Sequence, residues 1–331
     1  MASNNINALP PFVVFFIVAT ILCLPAAHGQ LTADFYDHIC PEALPKIKEI
    51  VQQAIAQEAR IGASLLRIHF HDCFVNGCDG SVLLDDIPGV FTGEKTARPN
   101  FQSLRPQAFA LIDQIKAAVD EVCYGTVVSC ADILAVAARD SIDILGGSCY
   151  EVLLGRRDAK TASLNDANND IPSPFSDLSQ LLQNFKQHGL TLKDLVVLSG
   201  GHTIGLARCT VFRNRTYNDN NIDQNFAAHL KGICPQTVGV GDNNTAPLDF
   251  TPTQVDTNYY KILLEKKGLL HSDQELFKGD GSESSDLVQY FANNPDKFAE
   301  AFAVSMIKMG NLEPLTGDKG EIRKNCRRVN N

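Results

Sequence analysis

Apolar residues recur at three- and four-residue intervals along much of this chain, which is the spacing that lines one face of an α-helix. The run 43–60, for example, places Ile47, Val51 and Ile55 on a single face. Helices are predicted over 43–60, 61–70, 103–122, 131–139, 176–189, 195–199, 226–232, 257–267, 284–293 and 295–309. Thr191-x-x-Asp194 predicts a capping box at the start of the helix that contains 195–199. A further helix is predicted to begin around His202, after a pair of glycines that breaks the preceding one.

Elsewhere the pattern indicates loops and very little strand. The stretch 150–154 is the best strand candidate and is short, while 85–98, 165–175 and 218–224 are polar or rich in Gly and Pro and are predicted to be loops. No internal repeat and no low-complexity linker interrupts the chain. The sequence therefore predicts a mainly α fold for residues 30–331, as one large domain or two closely packed lobes.

The N-terminal 29 residues are expected to be a removable targeting segment. Residues 11–27 are almost wholly apolar, and Ala27-His28-Gly29 offers a small-x-small cleavage site. This pattern is typical of a secretory signal peptide, which we assign to residues 1–29. The alternative is a membrane anchor, which the minimal length of the run and its interruption by Pro25 disfavour. No later stretch is apolar for long enough to span a membrane.

Charge and cysteine content narrow the class of protein further. The net charge of −9 disfavours nucleic-acid binding and leaves a surplus of carboxylates for hard cations. One of the ten cysteines, Cys23, lies in the predicted signal, and eight of the remaining nine can form four disulfides in a secreted chain. Spacing alone leaves their pairing open. Asn214-Arg-Thr and Asn243-Asn-Thr are candidate glycosylation sites.

The stretch 67–81 concentrates reactive side chains. Arg67 and His71 lie one turn apart on the predicted helix and so share a face. The positive charge of Arg67 favours a neutral imidazole, which can accept a proton while the guanidinium stabilises negative charge. The alternative is a structural arginine beside a surface-facing histidine. His69 points to another face and is expected to be a packed or surface residue.

An oxygen-rich loop follows this pair directly. Asp72, Asp79 and Ser81 supply side-chain oxygens, and Gly77 allows a turn that directs backbone carbonyls inward. Such ligands suit calcium, and a Cys73–Cys78 bridge would pin the loop. A zinc site and a solvated acidic loop are the alternatives, although reduced thiolates are unusual in secreted proteins.

A second candidate site lies at His202, in the run Gly-Gly-His-Thr-Ile-Gly. The histidine follows the predicted helix break, so its side chain can face a cleft. A lone histidine is more often a core or capping residue. The run therefore becomes specific only in combination with the first site.

Together these motifs resemble those of the secretory plant haem peroxidases, class III. The resemblance rests on Arg67-x-His-Phe-His-Asp-Cys-Phe-Val-x-Gly-Cys-Asp-x-Ser81, Gly200-Gly-His-Thr-Ile-Gly205, Leu154-Gly-Arg-Arg-Asp158, Gly268-Leu-Leu-x-Ser-Asp273 and Met309-Gly-Asn-Leu312. It extends over residues 30–331. It implies a two-lobed, mainly helical fold with haem b between a distal and a proximal lobe, and a haem peroxidase domain over those residues.

The resemblance also implies a role for each residue of the haem site. His202 is expected to bind the haem iron, with its other ring nitrogen donating a hydrogen bond to Asp273. On the opposite side, His71 is expected to move a proton between the peroxide oxygens and Arg67 to stabilise the charge of the departing oxygen. Asn100 is expected to fix the tautomer of His71.

The implied reaction is the reduction of hydrogen peroxide through a ferryl intermediate, followed by one-electron oxidation of two phenolic molecules at the haem edge near Pro172. The implied roles are lignification, suberisation, wall cross-linking and the oxidative stress response. The enzyme is expected to act as a monomer in the extracellular space or cell wall, without nucleic-acid or membrane partners. An inactive extracellular calcium-binding glycoprotein on the same scaffold and a secreted metallohydrolase are the alternative functions.

Two calcium sites and four disulfides are implied as well. The ligands are Asp72, Val75, Gly77, Asp79 and Ser81, with Glu94 through water, for the first ion, and Thr203, Asp249, Thr251, Gln254 and Asp256 for the second. The disulfides are Cys40–Cys123, Cys73–Cys78, Cys130–Cys326 and Cys209–Cys234, which leaves Cys149 unpaired.

The chain departs from the family where 249–251 is one residue short, where Tyr124 replaces a proline, and where Gly146–Tyr150 replaces a tryptophan-containing pattern.

Overall fold

Helices account for most of the structure, which confirms the predicted mainly α class. The computed structural model describes residues 31–101 and 103–331, so the predicted signal peptide lies outside the described residues. The α-helices are α1 (Ala43–Gln57), α2 (Arg60–Cys73), α3 (Pro106–Val122), α4 (Cys130–Ile144), α5 (Leu164–Asp170), α6 (Leu178–Gln187), α7 (Leu192–Ser199), α8 (Cys209–Asn218), α9 (Gln224–Ile233), α10 (Asn258–Leu264), α11 (His271–Glu275), α12 (Glu283–Asn293) and α13 (Pro295–Gly310). Short 3₁₀ segments cover Ser81–Leu83, Glu94–Thr96 and Gly200–Thr203.

In the larger hydrophobic core, α4 packs against both α1 and α2. Leu65 and Ile68 of α2 are fully buried, and α4 is buried at almost every position of its first three turns. Burying each such side chain contributes roughly 1.5–3 kcal/mol to folding. This packing fixes the rotation of α2 about its axis, and with it the directions of Arg67 and His71.

The strand predicted over 150–154 is wrong. Only Leu154 is paired there, through a single bridge to Thr32. Arginine side chains bind other carbonyls of this segment: Arg139 donates to the oxygen of residue 150 at 3.3 Å, and Arg156 to that of residue 153 at 2.6 Å. Because these carbonyls are satisfied by side chains, the segment stays extended without a neighbouring strand.

The only paired strands in the described part of the chain are β1 (Leu206–Arg208) and β2 (Thr245–Pro247), which are antiparallel. Two further bonds extend this pairing, since Leu248 donates its N–H to the oxygen of Gly205 at 3.1 Å and Gly205 donates to the oxygen of Pro252 at 2.9 Å. The small sheet therefore holds residues 248–252 beside the segment that carries His202.

Two other predictions about local structure are also wrong. Residues 164–170 form α5 instead of a loop, because the Ser163 hydroxyl caps the helix by accepting from the N–H of Asp166 at 3.2 Å. No α-helix begins at His202, which lies in a 3₁₀ segment before β1. The capping box predicted at Thr191 and Asp194 is confirmed at the start of α7.

Within the described residues, four disulfides join cysteines that lie 5 to 196 positions apart in the chain. They are Cys40–Cys123, Cys73–Cys78, Cys130–Cys326 and Cys209–Cys234, the same pairs that the resemblance implies. Cys149 is free and exposed. Within the described residues, no helix has both the length and the apolar character needed to cross a bilayer.

Candidate active site

The first histidine site is built on the C-terminal half of α2. His71 is fully buried, and its Nδ1 lies in hydrogen-bond contact with Oδ1 of Asn100. The Asn100 amide nitrogen donates in turn to the backbone oxygen of Glu94 at 2.8 Å, which fixes the orientation of the amide. Since an amide oxygen only accepts, Nδ1 of His71 carries the proton and Nε2 keeps a bare lone pair. That Nε2 is buried and has no hydrogen-bond partner among residues 31–101 and 103–331.

Electrostatics keep this imidazole neutral. Burial, and then the charge of Arg67, hold the pKa of His71 well below its usual range, although the bond to Asn100 opposes the shift. Burial also lowers the pKa of Arg67, to about 10, so the guanidinium remains a cation at neutral pH. Its Nη2 lies 3.4 Å from the oxygen of Pro99 and 3.3 Å from the hydroxyl of Ser103. A neutral base and a fixed cation therefore stand one turn apart.

The second histidine site combines the 3₁₀ segment with α10 and α11. Nδ1 of His202 donates to Oδ1 of Asp273 at 2.8 Å, and the Tyr259 hydroxyl donates to the same oxygen at 3.0 Å. The Asp273 side chain is 3% exposed, whereas the His202 side chain is 32% exposed. With Nδ1 committed to a buried carboxylate, Nε2 of His202 is the nitrogen available to a metal.

The two histidine-bearing segments are packed against each other. A Cβ added to Gly201 would lie 3.4 Å from a methyl carbon of Leu66, and one added to Gly205 would lie 3.1 Å from Cβ of Ala63. Leu66 and Ala63 belong to α2, so the glycines on either side of His202 permit close approach to the helix that carries His71.

Helix α5 and the loop that follows it connect the two sites along their margin. The Asn168 side chain of α5 accepts a hydrogen bond from the N–H of Arg98 at 2.8 Å, two residues before Asn100. At the other end of this segment, the N–H of Ser272 donates to the oxygen of Pro174 at 3.1 Å, beside Asp273. The partly buried Pro172 lies between these two anchors.

The acidic loop after α2 gathers buried oxygen atoms. Asp72, Asp79 and Glu94 are 1%, 5% and 0% exposed. Ser81 Oγ and Glu94 Oε2 have no hydrogen-bond partner in the described part of the chain. Burial and the charge of Asp79 raise the pKa of Asp72 to about 8, and burial raises that of Asp79 to about 6. Val75, fully buried, and Gly77 lie in the same loop. Unpaired buried carboxylates in this number call for a cation.

A second oxygen cluster forms directly after His202. The Thr203 hydroxyl lies 2.9 Å from Asp249, 3.2 Å from Asp256 and 3.4 Å from the backbone oxygen of Gln254. The Thr251 hydroxyl lies 2.9 Å from Asp256. All five residues expected at the second calcium site therefore lie together despite the shortened segment 249–251.

The first cluster does not suit zinc. Cys73 and Cys78, whose thiols a zinc site in this loop would use, are joined in a disulfide. Among the described residues, no group of three or more His, Cys, Asp or Glu side chains is by itself arranged to hold a metal ion.

Two residues around the histidines have contacts that the sequence did not predict. Tyr259 holds Asp273, and Ser103 contacts Arg67, but both depend on contacts between residues far apart in the chain. His69 is buried, as expected of a packed residue. It borders a separate cavity of about 10 Å³ with Tyr150 and Arg156, which has room for one water molecule at most.

Fold and site together define a class: a helical protein with one buried, neutral histidine beside an arginine and a second histidine bonded to a buried carboxylate. A family model described as Peroxidase matches residues 47–294. The chain belongs to the peroxidase family.

Individual relatives cover the whole chain. Peroxidase RIP1 of Medicago truncatula is 63% identical over 320 residues, which cover 96% of this chain and 97% of that protein. Peroxidase 4 of Vitis vinifera is 54% identical over 331 residues, and Peroxidase 70 of Zea mays is 54% identical over 334 residues, each match covering 100% of both chains. The chain is a peroxidase enzyme, and the inactive alternative is not supported. Membership of this family implies haem and hydrogen peroxide.

Proposed function

We propose that this enzyme is a secreted peroxidase that reduces hydrogen peroxide between His71 and His202 and oxidises small phenolic donors in the extracellular space or cell wall. One observation carries the assignment of the base. His71 directs a protonated Nδ1 to Asn100 and leaves Nε2 bare, buried and one helical turn from Arg67.

His71 and Arg67 supply the proton and charge chemistry at the peroxide. Nε2 of His71 takes the proton from one oxygen of the peroxide and returns it to the other oxygen, which leaves as water. Arg67 stabilises the negative charge that develops on the leaving oxygen. The bond from Nδ1 to Asn100 holds the imidazole in the tautomer that this transfer needs.

His202 and Asp273 would hold haem b on the other side. A bound haem supplies the electrons that reduce the peroxide and recovers them from the donor. The buried carboxylate of Asp273 makes the imidazole of His202 a stronger electron donor through the bond at Nδ1. Tyr259 keeps that carboxylate in place.

Phenolic donors would approach along the loop that contains Pro172. Its anchors at Arg98 and Ser272 tie it to both histidine sites, so a molecule held there lies at the margin shared by them. Pro172 is partly exposed, so flat phenols of varied substitution would have access to it. Lignin and suberin precursors fit this chemistry.

Two calcium ions would be structural components. The first would bind Asp72, Val75, Gly77, Asp79 and Ser81, with Glu94 through water, and the second Thr203, Asp249, Thr251, Gln254 and Asp256. The first loop begins at the residue after His71 and contains Glu94, whose backbone holds Asn100. Calcium in this loop would therefore fix the position of the base.

Secretion, monomeric state and glycosylation complete the proposal. Residues 1–29 would be removed as a signal peptide. Asn214 and Asn243 are both exposed and are the proposed glycan sites. The four disulfides fit an oxidising compartment.

A donor assay tests this function. With hydrogen peroxide, the purified enzyme should oxidise guaiacol and coniferyl alcohol with peroxide consumed in a one-to-two ratio to donor. Omission of either peroxide or donor serves as the control. An iron-containing preparation that oxidises neither phenol would contradict the proposed donor class.

A further inference from the structure

Tyr124 is almost completely exposed and has a strained backbone. Its relative exposure is 97%, and its φ angle of 53° lies in the left-handed region. It ends α3: the N–H of Tyr124 donates to the oxygen of Glu121 at 3.2 Å, and that of Gly125 to the oxygen of Asp120 at 3.0 Å. These two bonds form a Schellman motif, in which glycine is the favoured residue at the position of Tyr124.

A tyrosine at this position is unfavourable for folding. Its Cβ is disfavoured in left-handed backbone, and a side chain that is 97% exposed gains almost nothing from packing. Its hydroxyl has no hydrogen-bond partner among the described residues. Strain without a structural return is characteristic of residues kept for function.

The position of this phenol is well defined. Tyr124 follows Cys123, which is joined to Cys40, and the Schellman bonds fix the backbone on both sides. The side chain therefore projects from a firm helix end instead of a flexible loop. A partner molecule of any size can reach its ring.

We propose that Tyr124 is itself a phenolic substrate, through which two copies of this chain become covalently linked when peroxide is present. This inference rests on the proposed function, because phenoxyl radicals are the products of phenol oxidation. A donor radical takes the hydrogen atom of the Tyr124 hydroxyl and is restored to the phenol. Two Tyr124 radicals then form a carbon–carbon bond between ring positions ortho to oxygen, and the two displaced ring hydrogens move to the oxygens. Each link consumes one hydrogen peroxide, which is reduced to two waters.

The other tyrosines are much less suited to this reaction. Four are buried, namely Tyr36, Tyr150, Tyr259 and Tyr260, and the hydroxyl of Tyr217 donates to the oxygen of Cys234. Tyr290 is 47% exposed on α12, and its ring contacts that of Phe291 edge to face. Tyr290 is therefore the matched control, an accessible tyrosine that lacks the strained, projecting geometry.

The test compares the wild type with Tyr124→Phe and Tyr290→Phe. Each purified enzyme receives hydrogen peroxide and a trace of guaiacol, and products are analysed on reducing gels, by dityrosine fluorescence and by mass spectrometry of linked peptides. Reducing conditions remove any disulfide through Cys149. We expect a covalent dimer linked at Tyr124 in the wild type and in Tyr290→Phe, and at least a fivefold loss of it in Tyr124→Phe. Guaiacol oxidation should be equal in all three.

Several outcomes would overturn the inference. They are an undiminished dimer in Tyr124→Phe, a link at another tyrosine, and no dimer from a wild type that oxidises guaiacol normally. If the wild type does not oxidise guaiacol, the proposed function has failed. An unrelated phenol-oxidising peroxidase then supplies the radicals, and a link at Tyr124 still supports this inference while its absence overturns it.

Discussion

Replacement of His71 by alanine is expected to lower the rate of reaction with hydrogen peroxide by roughly 10²–10⁴-fold, the usual contribution of a positioned acid–base group. Nε2 of His71 is the buried lone pair beside Arg67, and the variant leaves no base in its place. Binding of haem should persist, because His202 and Asp273 are untouched. Stopped-flow absorbance under excess peroxide measures the rate directly.

His69→Ala is the matched control for this prediction. It removes a buried histidine from the same helix, two positions away. The two ring nitrogens of His69 lie 3.7 and 3.9 Å from the Cys73 sulfur in the disulfide, away from Asn100. This control should lose folding stability but retain most of the peroxide rate. A near-normal rate in His71→Ala, or an equal loss in both variants, would refute the role of His71 as the base.

Removal of calcium is expected to lower the free energy of unfolding by about 3–4 kcal/mol, the stabilisation that a ligand provides at several hundred times its dissociation constant. For a chain of this size that corresponds to a fall of about 5–15 °C in the melting temperature. Without the cation, Asp72, Asp79 and Glu94 are left buried against one another. Calorimetry before and after chelation, with calcium content measured, gives the shift. Activity should fall too, because Asn100 is held by this loop.

The Asp79→Asn variant provides a sharper test, because its stability relative to the wild type should change sign when calcium is removed. In calcium it should be less stable than the wild type, because a ligand charge is lost. In chelator it should be more stable, because the repulsion with Asp72 is relieved. Asp85→Asn, an exposed pair of Lys95, is the control and should change stability little in either condition. Equal melting temperatures with and without bound calcium would refute a structural ion in this loop.

The sequence predicted the parts of this protein that depend on local pattern. Arg67 and His71 share a face because they lie on one regular helix, and the cap at Thr191 follows from residues three apart. In contrast, the sequence of α5 predicts a loop because its Asn and Asp residues are poor helix formers, whereas the Ser163 cap stabilises a helix there.

The pattern of residues along the chain does not predict contacts between segments that are distant in sequence. Nothing near Tyr259 indicates that its hydroxyl binds a carboxylate 14 positions later. The shortened segment 249–251 lies beside Thr203 because the pairing of β1 with β2 and the hydrogen bonds at Gly205 hold both of its ends. The sequence shows the missing residue but not the clamp that compensates for it.

The central claim, a haem held by His202 opposite His71, is tested most directly by absorbance spectra of the purified protein before and after one equivalent of hydrogen peroxide. The account predicts an intense Soret band that changes on addition of peroxide and returns when guaiacol is added, and that is lost or strongly weakened in His202→Ala. A protein that contains zinc and no iron, or a Soret band unchanged by His202→Ala, would contradict it.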